Sequence, residues 1–254
     1  MREYFTVEKD GHVITCRICR HETVRNVILC GHGFAGSKDS GSVDQLASRV
    51  LKKCRDTAVV SFDWPSHGAD EEKQQRPELN SAYLRAVIAY IRETYCPEEL
   101  FGFGVSFGGY QFLRYIAENG SPFRKTAFRC PAVNMHDVLT ETIMTKEQLE
   151  QCGNGRTVQA GFANKVPVDA EFIRRLQACD ITKNDYRGYA GDMLIIHGTA
   201  DEVVPFDVVK AFAQNNGIRF TAVPGSDHRF TKKEDMDLAV QQVIAFFGLA
   251  GEDA

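Results

Sequence analysis

The sequence predicts an α/β protein with a mostly parallel central sheet and helices on both of its faces. Short apolar strands alternate with amphipathic helices along most of the chain, and glycine-rich turns follow two of the strands. Strands that alternate with helices are joined by crossover connections, which leave the strands parallel in one sheet. The chain has 254 residues, enough for one large domain of this kind with a substantial core.

The predicted strands and helices follow one another in a regular order. Two strands flank the turn at Asp10-Gly11 and predict an antiparallel hairpin at one edge of the sheet. Further strands are predicted at 24–31, 57–64, 100–106, 125–133, 193–198 and 218–225, and helices at 41–54, 78–95, 107–119, 206–215 and 232–248. The helix at 78–95 has the clearest periodicity, with apolar residues at i, i+3, i+4 and i+7 on one face.

The segment 134–187 interrupts this alternation. Its pattern predicts helical fragments with little strand character, inserted before the strand at 193–198. A structureless loop of that length is uncommon in a compact domain, so we expect a small helical cap inserted into a single domain spanning 1–254. The alternative is an ordinary helix with a long connection that leads away from the functional site.

Composition excludes several classes of function. The chain is 43% hydrophobic and 25% charged, as in ordinary globular proteins. Its net charge of −4 provides no basic field for nucleic acid or anionic lipid. The sequence has no run of about 18 apolar residues that would predict a membrane span. Its first residues lack the apolar core of a signal peptide. We therefore expect a cytoplasmic protein.

The cysteines point the same way. There are eight, and Cys16 and Cys19 form a C-x-x-C pattern within a predicted strand. Positions i and i+3 of a strand point to opposite faces, so these two side chains are not expected to share a metal or form a redox pair. Reduced thiols are the expectation for the whole set.

The strongest local motif is G-x-S-x-G at 104–108, between an apolar strand and a predicted helix. A serine hydroxyl is a poor nucleophile unless it is exposed, oriented and paired with a base. A sharp turn from strand to helix lifts the hydroxyl of Ser106 out of the sheet edge, and the glycines leave room for that turn. The alternative is a glycine-rich turn with an incidental serine.

A second glycine-rich turn, His32-Gly33-Phe34-Ala35-Gly36, follows the third strand. An oxyanion hole needs two backbone N–H groups that converge on one point. We expect the N–H of Phe34 to be one donor and that of Phe107, at the start of the helix after Ser106, to be the other. The alternative is a simple turn at a strand end.

Two further loops carry an acid and a base. Asp201 follows the strand at 193–198 and can orient a histidine and stabilise its imidazolium; Glu202 is the competing carboxylate, and a helix N-cap is the alternative role. His228 lies in the loop after the last strand, where a solvated histidine is the alternative. Because serine, acid and histidine occur in that chain order at successive strand ends, we interpret Ser106, Asp201 and His228 as a catalytic triad.

With these pieces in place, the chain resembles the α/β-hydrolases over nearly its whole length. The matching stretches are H-G-F-x-G (32–36), D-W-P-x-H-G (63–68), G-x-S-F-G-G (104–109), H-G-x-x-D-x-x-V-P (197–205) and the late Asp227-His228. They are similar to those of bacterial carboxylesterases, particularly the cinnamoyl/feruloyl esterase-like branch. The resemblance implies the same triad and the same oxyanion donors.

One departure concerns the substrate. Members of that branch often carry glutamine after the nucleophilic serine, whereas this chain has Phe107. A backbone donor is unaffected by the side chain, so the oxyanion hole is retained, whereas the identity of the substrate does not follow from the resemblance. G-x-S-F-G-G-Y also resembles the catalytic domains of prolyl-oligopeptidase-type peptidases.

The leading hypothesis is hydrolysis of a small-molecule carboxylic ester through an acyl-serine intermediate, which needs no metal or organic cofactor. The alternatives are a prolyl-oligopeptidase-type peptidase or a thioesterase with the same triad, or a ligand-binding protein on a hydrolase scaffold. Peptidases of that type normally add a propeller, for which 254 residues leave no room. His136 and Asp137, at the start of the insertion, are candidate substrate contacts. Trp64 and His67 are expected to border the site as scaffold, and Asp63 is expected to be a turn-stabilising carboxylate rather than a second acid.

Overall fold

The computed structural model describes residues 1–70, 72 and 74–249. Within these ranges the strands of the main sheet are β1 Arg2–Lys9, β2 His12–Cys19, β3 Asn26–Gly31, β4 Thr57–Phe62, β5 Glu99–Val105, β6 Thr126–Arg129, β9 Met193–Gly198 and β10 Arg219–Val223. Two more, β7 Val158–Ala160 and β8 Val166–Val168, form a separate small sheet. The helices are α1 Gly41–Lys53, α2 Pro77–Tyr95, α3 Phe107–Asn119, α4 Met135–Asp137, α5 Lys146–Gly153, α6 Ala170–Ala178, α7 Phe206–Asn216 and α8 Lys233–Phe247.

The main sheet has the order β1-β2-β4-β3-β5-β6-β9-β10. The β1–β2 hairpin lies at one edge and joins β4 in antiparallel pairing, while all the pairs from β4 to β10 are parallel. This is the α/β-hydrolase fold that the sequence predicts. The parallel arrangement brings the carboxyl ends of β3, β5, β6 and β9 to one edge, where loops from distant parts of the chain meet.

Helices cover the sheet on both faces, so its inner strands are buried on both sides. Every residue of β4 and β9 is buried, which explains why these strands have continuous apolar runs rather than alternation. One core cluster contains buried residues of α1 and α8, and the other those of α2, α3 and α7. Cys16 belongs to one cluster and Cys19 to the other, as their spacing predicts. The eight cysteines, all within the described ranges, are free thiols.

The segment 134–187 contains α4, a π-helical turn Val138–Ile143, α5, the β7–β8 hairpin and α6. The hairpin differs from the predicted helical fragments. Its two strands have three residues each, and one of them contains Pro167. Strands this short and irregular show no period-two pattern in the sequence. Buried Met135, Leu139 and Phe172 join the larger core cluster, so this segment is packed onto the domain. Its role as a cap remains a prediction.

No helix in the described ranges is both long enough and apolar enough to cross a membrane.

Candidate active site

Ser106 lies in the turn that joins β5 to α3. Its backbone has φ 51° and ψ −113°, a strained conformation for a residue with a side chain. The turn is possible because its neighbours are glycines. A Cβ at Gly108 would lie 2.2 Å from the carbonyl oxygen of Gly31, and one at Gly104 would lie 2.7 Å from the Cα of Gly109. Close packing of β3, β5 and α3 therefore requires glycine at both motif positions.

The structure brings Ser106, His228 and Asp201 into one hydrogen-bonded row. His228 Nε2 lies 3.1 Å from the Oγ of Ser106. Its Nδ1 lies 2.8 Å from Oδ2 of Asp201 and 3.0 Å from Oδ1. The carboxylate can only accept, so Nδ1 carries a proton and donates it to Asp201, which leaves Nε2 as the acceptor for the serine hydroxyl. This tautomer is the one that general-base catalysis requires.

Asp201 receives hydrogen bonds from several directions. Its Oδ1 accepts the backbone N–H of Val203 at 2.9 Å and of Val204 at 2.8 Å. Burial raises the pKa of this carboxyl, but the hydrogen bonds from His197 and His228 outweigh burial and hold the pKa well below its usual range. Asp201 is therefore ionised at neutral pH and can stabilise an imidazolium.

Glu202, the competing carboxylate, has a different partner. Its Oε2 accepts the backbone N–H of His228 at 3.1 Å, while the imidazole bonds to Asp201. Glu202 thus holds the backbone of the histidine loop and Asp201 orients the ring.

His197 belongs to a predicted strand and to the motif at 197–205, and the sequence assigned it no role of its own. Its Nε2 lies 3.1 Å from Oδ2 of Asp201 and 3.0 Å from the carbonyl oxygen of Val204. Because both neighbours are acceptors, Nε2 must carry the proton and donate to them. His197 and Cys130 lie with Asp201 in a group whose potential ligand atoms are within 4.8 Å of one another. Since the protonated Nε2 and the shared carboxylate already bond to protein groups, we interpret this group as support for Asp201. The signal available in the sequence was a histidine four residues before the acid.

The two expected oxyanion donors flank Ser106. Phe107 is the first residue of α3, so its N–H has no partner within the helix. A Cβ at Gly33 would lie 3.5 Å from the Cβ of Ser106, which places the loop 32–36, here called the oxyanion loop, directly against the serine. Within the described residues neither Phe34 nor Phe107 donates its N–H to a protein acceptor. Both N–H groups are free to bind an anionic oxygen.

A cluster of buried polar residues stabilises the oxyanion loop through hydrogen bonds. Asp63 accepts the backbone N–H of Lys38 at 2.7 Å, its Nζ at 2.8 Å and the N–H of Ala69 at 2.9 Å. His32 places Nδ1 2.8 Å from the carbonyl oxygen of Gly33 and accepts from the backbone N–H of Trp64 at 3.3 Å. Asp63 is thus a turn-stabilising carboxylate, as the sequence predicts.

His67 also belongs to this support. Its ring stacks on that of Phe107 with centroids 5.7 Å apart and meets Phe34 edge-on at 5.6 Å. The ring therefore packs against both residues that carry the expected oxyanion donors. Burial lowers the pKa of His32 to about 4 and that of His67 to about 3, so both rings are neutral at pH 7.

His136 and Asp137 lie in the short helix α4, at the start of segment 134–187. His136 Nδ1 is 2.9 Å from Oδ1 of Asp137, and both residues line a cavity of about 340 Å³ beside Tyr110 and Leu176. Ser106 does not contribute to the wall of this cavity. A role of the pair in substrate binding remains a prediction.

A nucleophile elbow with a hydrogen-bonded serine, histidine and aspartate on this sheet defines an α/β-hydrolase-fold serine hydrolase. The chain belongs to the prolyl oligopeptidase family, whose family model matches residues 57–250. A comparison with curated proteins finds no match by sequence.

Solved structures share the fold over nearly the whole chain. Est1E from Butyrivibrio proteoclasticus, solved with ferulic acid bound, superimposes with a TM-score of 0.76 at 15% identity, and the match covers 97% of this chain and 98% of that one. An esterase domain from Rhodothermus marinus has a TM-score of 0.68 at 17% identity, with 97% of each chain covered. XC6422 from Xanthomonas campestris, described as a serine hydrolase without a lid, has a TM-score of 0.64 at 17% identity and covers 97% of this chain and 94% of its own. At these identities the similarity establishes the fold.

Proposed function

We propose that this protein hydrolyses carboxylic esters of small molecules through an acyl-Ser106 intermediate. The observation that carries the proposal is the row of hydrogen bonds from Ser106 through His228 to Asp201. A serine with its hydroxyl 3.1 Å from a correctly oriented imidazole is an activated nucleophile.

The proposed reaction has two halves. In the first, Ser106 Oγ attacks the ester carbonyl carbon while its proton passes to Nε2 of His228, and the N–H groups of Phe34 and Phe107 bind the oxyanion. The tetrahedral intermediate then expels the alkoxide, which takes the proton from His228 and leaves as the alcohol. In the second half, water attacks the acyl-enzyme with the same proton transfers and releases the carboxylic acid. Asp201 stabilises the imidazolium at each stage.

The family includes peptidases, so an amide substrate is the second candidate. Two observations favour esters. Structures with the same fold include one with ferulic acid bound and one described as an esterase domain. In addition, the described residues that line the cavity beside the oxyanion loop include Arg129 and Arg229 but no carboxylate that would hold the ammonium group of a peptide.

The test combines covalent labelling with a substrate panel. A fluorophosphonate probe should label the wild-type protein at Ser106, and Ser106→Ala should abolish labelling and lower ester turnover by at least about 10³-fold with an unchanged melting curve. The panel contains p-nitrophenyl acetate, methyl hydroxycinnamates and aminoacyl p-nitroanilides. Higher kcat/KM for anilides than for every ester would replace the esterase proposal with a peptidase. Turnover retained in Ser106→Ala would place the nucleophile elsewhere.

We extend the proposal to segment 134–187, as a cap that selects substrates. Its β7–β8 hairpin reaches the oxyanion loop, since a Cβ at Gly161 would lie 3.0 Å from the Cβ of Ala35. The next residue, Phe162, is 49% exposed and lines the cavity beside that loop. Phe162→Ala should therefore change the ratio of kcat/KM between a bulky aromatic ester and an acetate ester by several-fold. Tyr189→Ala, which removes an exposed aromatic ring elsewhere, is the control; equal ratios in both variants would contradict the cap role.

A further inference from the structure

Arg129, the last residue of β6, is a buried cation with few partners. Its side chain is only 4% exposed. The guanidinium places Nη1 3.2 Å from the sulfur of Met236 and lies 5.3 Å from the centroid of the Phe230 ring. Nε is buried without a hydrogen-bond acceptor among the described residues. A thioether sulfur and an aromatic face are weak partners for a group that carries five N–H donors.

None of the carboxylates that the structure describes pairs with this guanidinium. Within the described residues no acidic oxygen lies within 4.0 Å of its nitrogens, although Asp201 and Asp227 act on it from farther away. Burial lowers the pKa of Arg129, but an arginine remains protonated at neutral pH. A buried charge with no close counter-ion among the described residues is costly to fold, and an anion bound beside it would offset that cost.

The surroundings of Arg129 suit an anion. It contributes to the wall of a cavity of about 510 Å³ that also includes Ser40, Gly41 and Ser42 at the amino end of α1. The first N–H group with an intrahelical acceptor is that of Val43, so the N–H groups of Gly41 and Ser42 have no acceptor within the helix and can bind a ligand. The Oγ of Ser40 is also buried without a partner among the described residues.

The cavity adjoins the proposed catalytic groups. One wall is formed by Phe34, Ala35 and Gly36 of the oxyanion loop, and another by Arg229, which follows His228. The backbone carbonyl of Arg129 accepts the N–H of Ser106 at 3.0 Å, so the arginine lies on the strand next to the nucleophile. An ester whose carbonyl is at Ser106 can thus extend a second group into this cavity.

We propose that Arg129 and the amino end of α1 bind a carboxylate on the substrate, so that the preferred esters carry a second, anionic group. This inference rests on the proposed esterase function. It assigns to the cavity a specificity that the triad does not provide: the triad hydrolyses the ester bond, and the buried guanidinium selects acyl chains that end in a carboxylate. Arginine suits this purpose because its charge is permanent and its donors match carboxylate geometry.

The experiment compares monomethyl esters of adipic, pimelic and suberic acids with the corresponding dimethyl esters, which have the same chain length without the charge. The wild-type protein should prefer at least one monomethyl ester. Arg129→Met should lower kcat/KM for that ester by about tenfold or more, the loss expected for a hydrogen bond to a charged group, and change the dimethyl ester by less than about threefold. Methionine keeps the packing against Phe230 and Met236. Arg129→Lys should recover part of the preference, and Arg55→Met, which changes an exposed arginine that does not line this cavity, is the control and should leave the preference unchanged.

A second measurement separates this inference from the esterase proposal. Free adipate, pimelate or suberate should raise the Tm of wild-type protein but not that of Arg129→Met, whether or not either protein turns over an ester. If the wild-type protein turned over no ester but the free dicarboxylates still raised its Tm and not that of Arg129→Met, only the esterase proposal would be refuted. Equal loss for monomethyl and dimethyl esters in Arg129→Met, or no Tm shift in the wild type, would overturn the anion site.

Discussion

His228–Asp201 and His32–Asp63 are both histidine–carboxylate arrangements at the carboxyl end of the sheet, and they differ in exposure and in partners. The His228 side chain is 14% exposed and its Nε2 faces the Ser106 hydroxyl. The His32 side chain is fully buried, its Nε2 faces the backbone N–H of Trp64, and Asp63 lies 4.0 Å away. One arrangement can move a proton, whereas the other can only hold a loop.

Asp201 and Asp63 also differ in the side chains that donate hydrogen bonds to them. Asp201 accepts from two imidazoles, so its charge is available when His228 becomes protonated. Asp63 is already neutralised by Lys38 Nζ at 2.8 Å. The comparison teaches that a histidine beside an aspartate is not by itself a catalytic signature: the group at the second ring nitrogen and the competing cation decide what the pair can do.

The largest expected effect tests the catalytic arrangement. Asp201→Asn should lower kcat by about 10³-fold, because an amide cannot hold the Nδ1-protonated tautomer or stabilise the imidazolium. Glu202→Gln, which changes the adjacent carboxylate, should alter kcat by less than about threefold since its Oε2 contact is to a backbone N–H. Steady-state kinetics on folded, purified variants provides the measurement. A larger loss in Glu202→Gln than in Asp201→Asn would reverse the assignment.

The supporting arrangement should respond in stability. Asp63→Asn leaves the buried ammonium of Lys38 with Asp39 alone, at 3.5 Å. We expect a loss of about 3 kcal/mol in the free energy of unfolding, at the low end for a broken buried ion pair because Asp39 remains. Urea unfolding measures this loss, and the double variant Lys38→Met/Asp63→Asn should recover part of it. If Asp63→Asn instead abolished turnover in fully folded protein, the distinction between the two arrangements would fail.

The buried histidines should make stability depend on pH. The folded-state pKa values of His32 and His67 are about 4 and about 3, below the value of about 6.5 for an unfolded histidine. As the pH falls below about 6.5, the two histidines take up protons in the unfolded chain before they do so in the folded protein. The free energy of unfolding therefore decreases progressively as the pH falls toward the folded-state pKa values. Near pH 5 each ring should contribute a slope of about 1.4 kcal/mol per pH unit.

Replacement of one ring tests this pH dependence. His67→Asn keeps an amide nitrogen near the position of Nδ1, 2.9 Å from the carbonyl oxygen of Pro65. Near pH 5 the slope of the free energy of unfolding against pH should be smaller than in wild type by about 1.4 kcal/mol per pH unit, which corresponds to one proton. His21→Asn, which changes an exposed histidine, is the control, and identical slopes in wild type and His67→Asn would contradict neutral burial.

The smallest effect concerns the support of the triad acid. His197→Phe removes a donor 3.1 Å from Asp201 but retains a buried ring, so kcat should fall by about tenfold with KM little changed. The pH profile of kcat/KM should also shift, because Asp201 loses one of the hydrogen bonds that hold its pKa low. An unchanged pH profile with a lower Tm would make His197 a purely structural residue.

Much of the fold and the candidate triad could be predicted because both are encoded locally. The apolar runs of β4 and β9, the period of α2 and the glycines around Ser106 each constrain the backbone within a few residues of themselves. The β7–β8 hairpin was missed since strands of three residues have no detectable period. The chain order of serine, aspartate and histidine located their loops, because parallel strands end at one edge.

The sequence by itself determined which residue types stand at the strand ends and where the chain turns. The tertiary structure alone decided their partners: that His228 meets a serine 122 positions earlier, that His197 supports Asp201, and that Arg129 is buried with no paired carboxylate in the described part of the chain. The reason is physical. Local backbone preferences depend on neighbouring residues, whereas burial and hydrogen bonding depend on contacts between segments far apart in the chain, which no local pattern records.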